Sequence, residues 1–280
     1  MTSFFLRITI LTCAAVLTGL SDLPVTAAEQ ASTRMDHPAI KGTEVWISYR
    51  FGSPTNTLHL KLSDHAQSGK VTIPRLCGRL KDVRAVPAKQ GTFVGVHPEP
   101  EYWTINWKGY ANAPESISLV FEQPPVLPGE LAAVTAAGDG SFMLHAWQAA
   151  TSGEKLRYEP QTHKNTVGYW VGKNDAATWT VAVEEPGEFN VGILQGCGSG
   201  QGGSTAALTV SADENVVSTC EFQVQETGHF QNFQWRTVGT LSIREPGTYQ
   251  LQLAPKQIKK NALMDCRAIN LVKLPVPKKK

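Results

Sequence analysis

The sequence predicts an all-β protein, two jelly-roll-like β-sandwich domains in tandem behind an export signal, and three observations carry that prediction. Thr180 to Ile193 (TVAVEEPGEFNVGI) is echoed by Thr240 to Leu253 (TLSIREPGTYQLQL). In each, apolar residues alternate with polar ones: Val181, Val183, Phe189, Val191 and Ile193 in the first, Leu241, Ile243, Tyr249, Leu251 and Leu253 in the second. That period turns one face of each strand toward a core. Short stretches of the same kind recur between turn residues along the rest of the chain, as in sandwiches. No segment carries a sustained helical period, and strands do not alternate with helices.

At the amino terminus, Arg7 precedes an apolar run from Ile8 to Leu20, and the small-residue site Val25-Thr26-Ala27 follows. This is the pattern of a secretory signal peptide over residues 1–27. The run is shorter than the roughly 20 residues that cross a bilayer, and Ser21, Asp22 and Pro24 end it. Cleavage near Ala27 is therefore expected rather than retention as an anchor. Thr12 stands before Cys13 where a lipoprotein signal would carry glycine or alanine. No second hydrophobic span follows, so the expected product is secreted or periplasmic, with no membrane span.

The 26 Lys and Arg nearly balance the 24 Asp and Glu, and much of the excess lies in Lys278 to Lys280. Such a balance leaves no nucleic-acid footprint; residues 275–280 read as a solvated basic tail. Once the leader is removed, Cys77, Cys197, Cys220 and Cys266 remain. Export permits disulfides among them, and the spacing does not choose between the three full pairings. No CxxC or HxxxH spacing indicates zinc.

The first sandwich is expected over residues 36–150. Its strands are Val45 to Phe51, Leu58 to Leu62, Lys70 to Ile73, Asp82 to Val86, Thr92 to Val96, Tyr102 to Trp107, Ser116 to Phe121 and Phe142 to Trp147. Pro98, Pro100, Pro124, Pro125 and Pro128 close them off. The cluster His97 to Trp103 holds two carboxylates, Glu99 and Glu101, on a proline-spaced turn. Glycoside hydrolysis needs such a pair to flank a sugar on a stiff frame, so a solvated turn is expected here. The small, polar stretch Ala149 to Glu154 is read as the domain link, short enough that the two sandwiches pack together.

The second sandwich is expected over residues 153–274. It opens with a strand at Lys155 to Tyr158, a loop holding His163, Lys164 and Asn165, and a strand with Tyr169 and Trp170. The two Glu-Pro-Gly units are expected to be β-hairpins, with Pro186 and Pro246 presetting φ and Gly187 and Gly247 accepting the positive φ of a type II turn. The glycine-rich stretch Gln195 to Gly203 has the composition of a phosphate cradle, but a cradle needs a helix amino terminus after it. Thr205 to Ser211 alternates as a strand, so a sheet-to-sheet connection is expected. Strands at Ala206 to Val210 and Thr219 to Val224, the loop Glu226 to Phe233, and a closing strand Leu263 to Leu271 complete the unit.

With these words in place, the second half resembles the family 6 carbohydrate-binding modules. Trp179, Pro186-Gly187, Phe189, Pro246-Gly247, Tyr249 and Asp265 stand where such modules carry a tryptophan strand, turn, aromatic-led return strand, second turn and closing aspartate. YEPQTHKNTVGYW, LQGCGSGQGGS, ETGHFQNF and MDCRAINL are also similar to a domain appended to secreted bacterial α-L-fucosidase-like and sulfatase-like proteins. The first half, through VTIPRLCGRLKDVRAV and SISLVFEQPP, is more faintly similar to the β-sandwich that follows the α-L-fucosidase barrel. The barrel itself needs well over 200 residues of alternating strands and helices, for which this chain has no room.

The resemblance implies a glycan ligand. A sugar site needs aromatic faces for the apolar side of a pyranose and amides or charges for its hydroxyls. Tyr169, Trp170, Phe230, Asn232, Trp235 and Asn261 supply those types. Of the adjacent pair Tyr169 and Trp170, one is expected to point outward, whereas Trp179, Phe189 and Tyr249 read as core, and His163 and His229 as structural or exposed. No catalytic residue is assigned. The resemblance further implies a structural calcium, for which Glu159 and Asp265 are candidates, although no full oxygen set is visible and Asp265 has Arg267 beside it for an ion pair. The leading expectation is a secreted, non-catalytic carbohydrate-binding accessory protein whose partners are a polysaccharide and a separately encoded glycan-degrading enzyme. The alternatives are a shortened α-L-fucosidase-like hydrolase using Glu99, Glu101 or Glu226, and a structural protein of the cell surface.

Overall fold

The computed structural model describes residues 32–35, 43–50, 53–62, 69–109 and 114–275. The expected leader (1–27) and all but Pro275 of the basic tail lie outside the described residues. Among the described residues no helix is long and apolar enough to cross a membrane.

The first half contains β1 (Ser32–Met35), β2 (Thr43–Arg50), β3 (Ser53–Leu62), β4 (Lys70–Pro74), β5 (Leu80–Val86), β6 (Phe93–Pro98), β7 (Tyr102–Lys108) and β8 (Ser116–Phe121). They form a five-stranded sheet, β1-β2-β3-β8-β5, and a three-stranded sheet, β4-β7-β6. Period-2 alternation buries Leu58, Leu60, Ile117, Leu119 and Phe121 from one sheet and Val71, Ile73, Trp103 and Ile105 from the other. The Trp103 and Phe121 rings stack at 6.3 Å.

The second half contains β9 (Val134–Thr135), β10 (Phe142–His145), β11 (Ala150–Ser152), β12 (Arg157–Glu159), β13 (Thr166–Gly168), β14 (Ala176–Val183), β15 (Gly187–Gly196), β16 (Thr205–Ala212), β17 (Asn215–Gln223), β18 (Gln234–Ile243), β19 (Gly247–Gln257) and β20 (Asp265–Lys273). One sheet runs β12-β13-β20-β15-β18 with β10 also on β20; the other runs β11-β14-β19-β16-β17 with β9 on β14. Phe142 to Trp147, read from sequence with the first half, thus supplies a strand of the second pair of sheets: Phe142 lies opposite Leu271 and Leu144 opposite Ile269. Sheet membership changes upstream of the expected link, because the apolar faces of Phe142 and Leu144 complete the second core.

The Glu-Pro-Gly units are not hairpins. β14 and β15 lie in different sheets, as do β18 and β19. Each arm pairs with an arm of the other unit: Val181 lies opposite Tyr249 in β14–β19, and Phe189 opposite Leu241 in β15–β18. The three residues between strands carry the chain across the core, a distance of about 10 Å between packed sheets. Gly187 is not among the positive-φ residues, and Gly247 is near-extended at φ +159°, so the expected type II turn does not form. Tyr249 Oη donates to the Glu245 carbonyl at 2.8 Å and braces the second crossing.

Buried apolar residues of both halves join in one cluster. At the junction the Tyr158 ring packs 6.2 Å from Trp103, and its hydroxyl lies 2.8 Å from Asn165 Oδ1 and 3.2 Å from the Gly78 carbonyl. Arg157 Nη1 donates to the Pro98 carbonyl, and Gln161 Nε2 to that of Val96. All four described cysteines are free and buried. Burial pushes the Cys197 thiol up to about 11 and that of Cys266 up to about 12, which keeps both protonated and unreactive.

Candidate functional site

The site begins with the β12–β13 unit. After Glu159, the backbone N–H groups of Lys164 and Asn165 both donate to the Gln161 carbonyl, and Asn165 takes φ +44° to enter β13. β13 ends at Gly168, and Tyr169 adopts φ +63°, a conformation rare for a bulky side chain. That reversal throws Tyr169 outward, 45% exposed, while Trp170 turns in with no exposed surface. The loop after them is held by Asp175, whose Oδ2 accepts from the N–H of Val171 at 2.9 Å and of Gly172 at 2.7 Å. Trp170 Nε1 donates to the Asp175 carbonyl at 3.3 Å. The Arg157 guanidinium lies 4.1 Å over the Tyr169 ring and fixes its position.

The facing wall comes from the loop after β17. Thr227 N–H donates to the Cys197 carbonyl at 2.9 Å, and its Oγ1 accepts from Cys197 N–H at 2.8 Å. This loop lies so close to the end of β15 that a Cβ at Gly196 would fall 1.8 Å from the Phe230 carbonyl oxygen, and one at Gly198 2.9 Å from the Phe230 ring. The glycine-rich stretch is the sheet-to-sheet connection expected, running from β15 to β16. Its glycines let the Phe230 loop approach; no helix follows to cradle a phosphate.

Between the walls is a pocket of about 250 Å³ lined by Glu159, Lys164, Tyr169, Val171, Phe230, Gln231, Ala262 and Asp265. Glu159 and Asp265 form its floor, 3% and 6% exposed. They converge because β13 lies between β12 and β20, with Val167 opposite Cys266. A Cβ at Gly168 would sit 2.5 Å from Glu159 Oε2 and 2.9 Å from Asp265 Oδ1. The Lys164 ammonium bonds Glu159 Oε1. Burial, and then the Glu159 charge, hold the Asp265 carboxyl well above the usual carboxylate range, opposed by Lys164 and Arg267. Arg267 does not ion-pair with Asp265: its guanidinium donates to the His163 and Lys164 carbonyls and covers the Phe233 ring at 3.7 Å.

Of the candidates read from sequence, Tyr169 and Phe230 meet in this pocket. Trp170 does not line it, since its ring is core and offers no face to a ligand. Asn232 is exposed, but its Nδ2 bonds the Thr227 carbonyl within its own loop. Asn261 is exposed outside the pocket lining, its N–H on Gln201 Oε1 at 3.1 Å. Trp235, 47% exposed, stands on the outer face of β18. A Cβ at Gly192 would lie 3.5 Å from the Trp235 ring and 3.8 Å from Asn270 Cβ, so ring and amide flank a bare stretch of β15. Asn270, Lys164, Val171, Gln231 and Ala262 were not among the candidates read from sequence; the alternation of Ile269-Asn270-Leu271 is the one signal that could have placed Asn270 outward.

Glu159 and Asp265 do not fit a calcium site. Calcium takes six to eight oxygens, whereas these two carboxylates already have an ammonium on Glu159. Among the described residues no group of three or more His, Cys, Asp or Glu is placed to hold a metal ion. Glu99 is bound at 2.9 Å by Arg157 and lies 3.1 Å from His97 Nε2, Glu101 is exposed, and Glu226 accepts from Gly202 N–H. A larger depression of about 650 Å³ on the first half is lined by His59, Arg84, Ser118 and neighbours, with no tyrosine, tryptophan or phenylalanine ring.

No family model and no curated protein matches the chain. Among solved structures, it is similar to the α-L-fucosidase from Vibrio sp. strain EJY3, at 15% identity over 85% of this chain and 41% of that one, TM-score 0.33. It is also similar to the C-terminal CBM6 of LamC, a marine laminarinase from Zobellia galactanivorans, at 18% identity over 48% of this chain and 99% of that one, TM-score 0.39. The CBM35 from Cellvibrio japonicus Abf62 matches at 14% identity over 48% of this chain and 94% of that one, TM-score 0.37. The chain thus spans less than half the length of the fucosidase it matches, and its all-β sandwich architecture stands on its own strand pairing.

Proposed function

We propose that this chain is an exported, non-catalytic glycan-binding protein that holds a sugar unit in the pocket between Tyr169 and Phe230. The observation that carries this reading is the meeting of two aromatic walls from distant segments over a floor of hydrogen-bonding carboxylates. Aromatic faces take the apolar side of a pyranose, and carboxylates accept from its hydroxyls. The leader-like amino terminus and the resemblance of the second half to carbohydrate-binding modules support the same reading. The role would be to hold a polysaccharide for a separately encoded degrading enzyme. The exposed Trp235 ring beside Asn270 is a second contact surface for a longer chain.

The test is a glycan array probed with the mature protein, repeated with Tyr169→Ala and Phe230→Ala. Binding to at least one glycan class, weakened about tenfold or more by each substitution, is expected from the loss of a stacking face. A folded protein that binds no glycan would sink the reading.

A further inference from the structure

Building on the glycan reading, we propose that the pocket selects a sugar carrying a free primary amine, with the ammonium seated on Asp265 and Glu159 between the Tyr169 and Phe230 rings. The two carboxylates lie side by side on Gly168: a Cβ there would sit 2.5 Å from Glu159 Oε2 and 2.9 Å from Asp265 Oδ1, and both residues line the pocket. The carboxyl of Asp265, a residue 6% exposed that lines the pocket, makes no side-chain hydrogen bond or ion pair among the described residues, and Lys164 and Arg267 act on it only through space. A carboxylate largely out of water gains from a donor, and the pocket is the side from which a ligand donor can reach Asp265.

Every cation nearby is committed elsewhere. The Lys164 ammonium is on Glu159. Arg267 donates to the His163 and Lys164 carbonyls. Arg157 donates to the Lys155 and Pro98 carbonyls and pairs with Glu99. The remaining lining residues, Tyr169, Val171, Phe230, Gln231 and Ala262, are uncharged. Two carboxylates share one bonded ammonium, and a second positive charge beside Asp265 would favour its charged form.

A ligand ammonium supplies that charge together with three donors, and charge-assisted bonds are about twice as strong as neutral ones. The aromatic walls add a cation–π term. A hydroxyl brings one donor and no charge, a uronate brings the wrong sign, and a metal ion meets too few oxygens.

The experiment is calorimetric titration of the mature chain with β-1,4-linked glucosamine oligomers, their N-acetylated counterparts, neutral glucose oligomers and uronate oligomers of equal length. The amine series is expected to bind at least about tenfold tighter than the N-acetylated series, a charge-assisted pair set against a neutral amide. Asp265→Asn is expected to bring the ratio of amine to N-acetyl affinity toward one, whatever it does to the affinity of either series; Glu159→Gln provides the same check should the first variant misfold. Equal affinity for amine and N-acetyl forms, a preference for uronate, or calcium binding that displaces the amine would each overturn the assignment. If neutral oligomers bind and amines bind no better, the amine inference falls and the glycan reading stands. If no oligomer binds, both fall.

Discussion

Gly196→Ala is the most informative single change, because it tests whether the pocket wall depends on how closely the Phe230 loop rides on β15. A Cβ there would lie 1.8 Å from the Phe230 carbonyl oxygen and 2.7 Å from its carbonyl carbon, where ordinary contact begins near 3.4 Å. The obstructing atoms are backbone, so no rotamer relieves the clash; the loop must withdraw by about 1.6 Å, the difference between those distances. That displacement strains the bonds that moor it, from Thr227 N–H to the Cys197 carbonyl, Cys197 N–H to Thr227 Oγ1 and Ser199 N–H to the Gly228 carbonyl. Overpacking at about 1–3 kcal/mol, plus partial loss of bonds worth about 0.5–1.5 kcal/mol each, gives an expected destabilisation of about 2–4 kcal/mol. For a chain of this size that lowers the thermal midpoint by roughly 4–16 °C. Denaturant titration and scanning calorimetry measure this, with Gly138→Ala as the control, since nothing lies within 4 Å of a Cβ there. Glycan affinity should fall with stability as Phe230 leaves the pocket. A Gly196→Ala protein with unchanged midpoint and unchanged binding would refute the account of how the wall is built.

Two further outcomes follow from burial and charge. Trp170→Ala removes a wholly buried ring and should cost about 3–5 kcal/mol, whereas Trp235→Ala, at a half-exposed position, should shift stability by less than about 1 kcal/mol; urea denaturation distinguishes them, and the reverse ranking would show that the core has been misplaced. Asp265 is held well above its ordinary value of 3.8, by burial and then by Glu159, so the folded state binds that proton more tightly than the unfolded one. Its contribution to stability is therefore greatest at acid pH and is lost as pH rises from the ordinary carboxylate range through the raised value. Asp265→Asn should flatten that slope and raise stability at neutral pH in denaturation series run from pH 4 to 8; an unchanged slope would show that Asp265 is not desolvated as described.

What the sequence by itself determined is the class of the fold and the inside of its strands. The alternation Val181, Val183 and Phe189, Val191, Ile193 states which face is buried, because burial in a sheet has a period of two. It does not state which strand lies beside which. A hairpin and a crossing between sheets bury the same alternate residues, so the Glu-Pro-Gly units looked like hairpins until pairing placed β14 on β19 and β15 on β18. The same limit applied at the site. Neighbouring residues point opposite ways, so one of Tyr169 and Trp170 had to face out, but which one was decided by the φ of Tyr169 and by the loop that Asp175 holds. Glu159 and Asp265 lie at opposite ends of the second half, and only the family resemblance paired them, as calcium candidates. β13, inserted between their strands, and Gly168, whose missing side chain makes room for both carboxylates, turn them into one buried pair. Local residue pattern encodes burial because burial is set residue by residue; convergence of distant groups is set by strand order, which no local pattern carries.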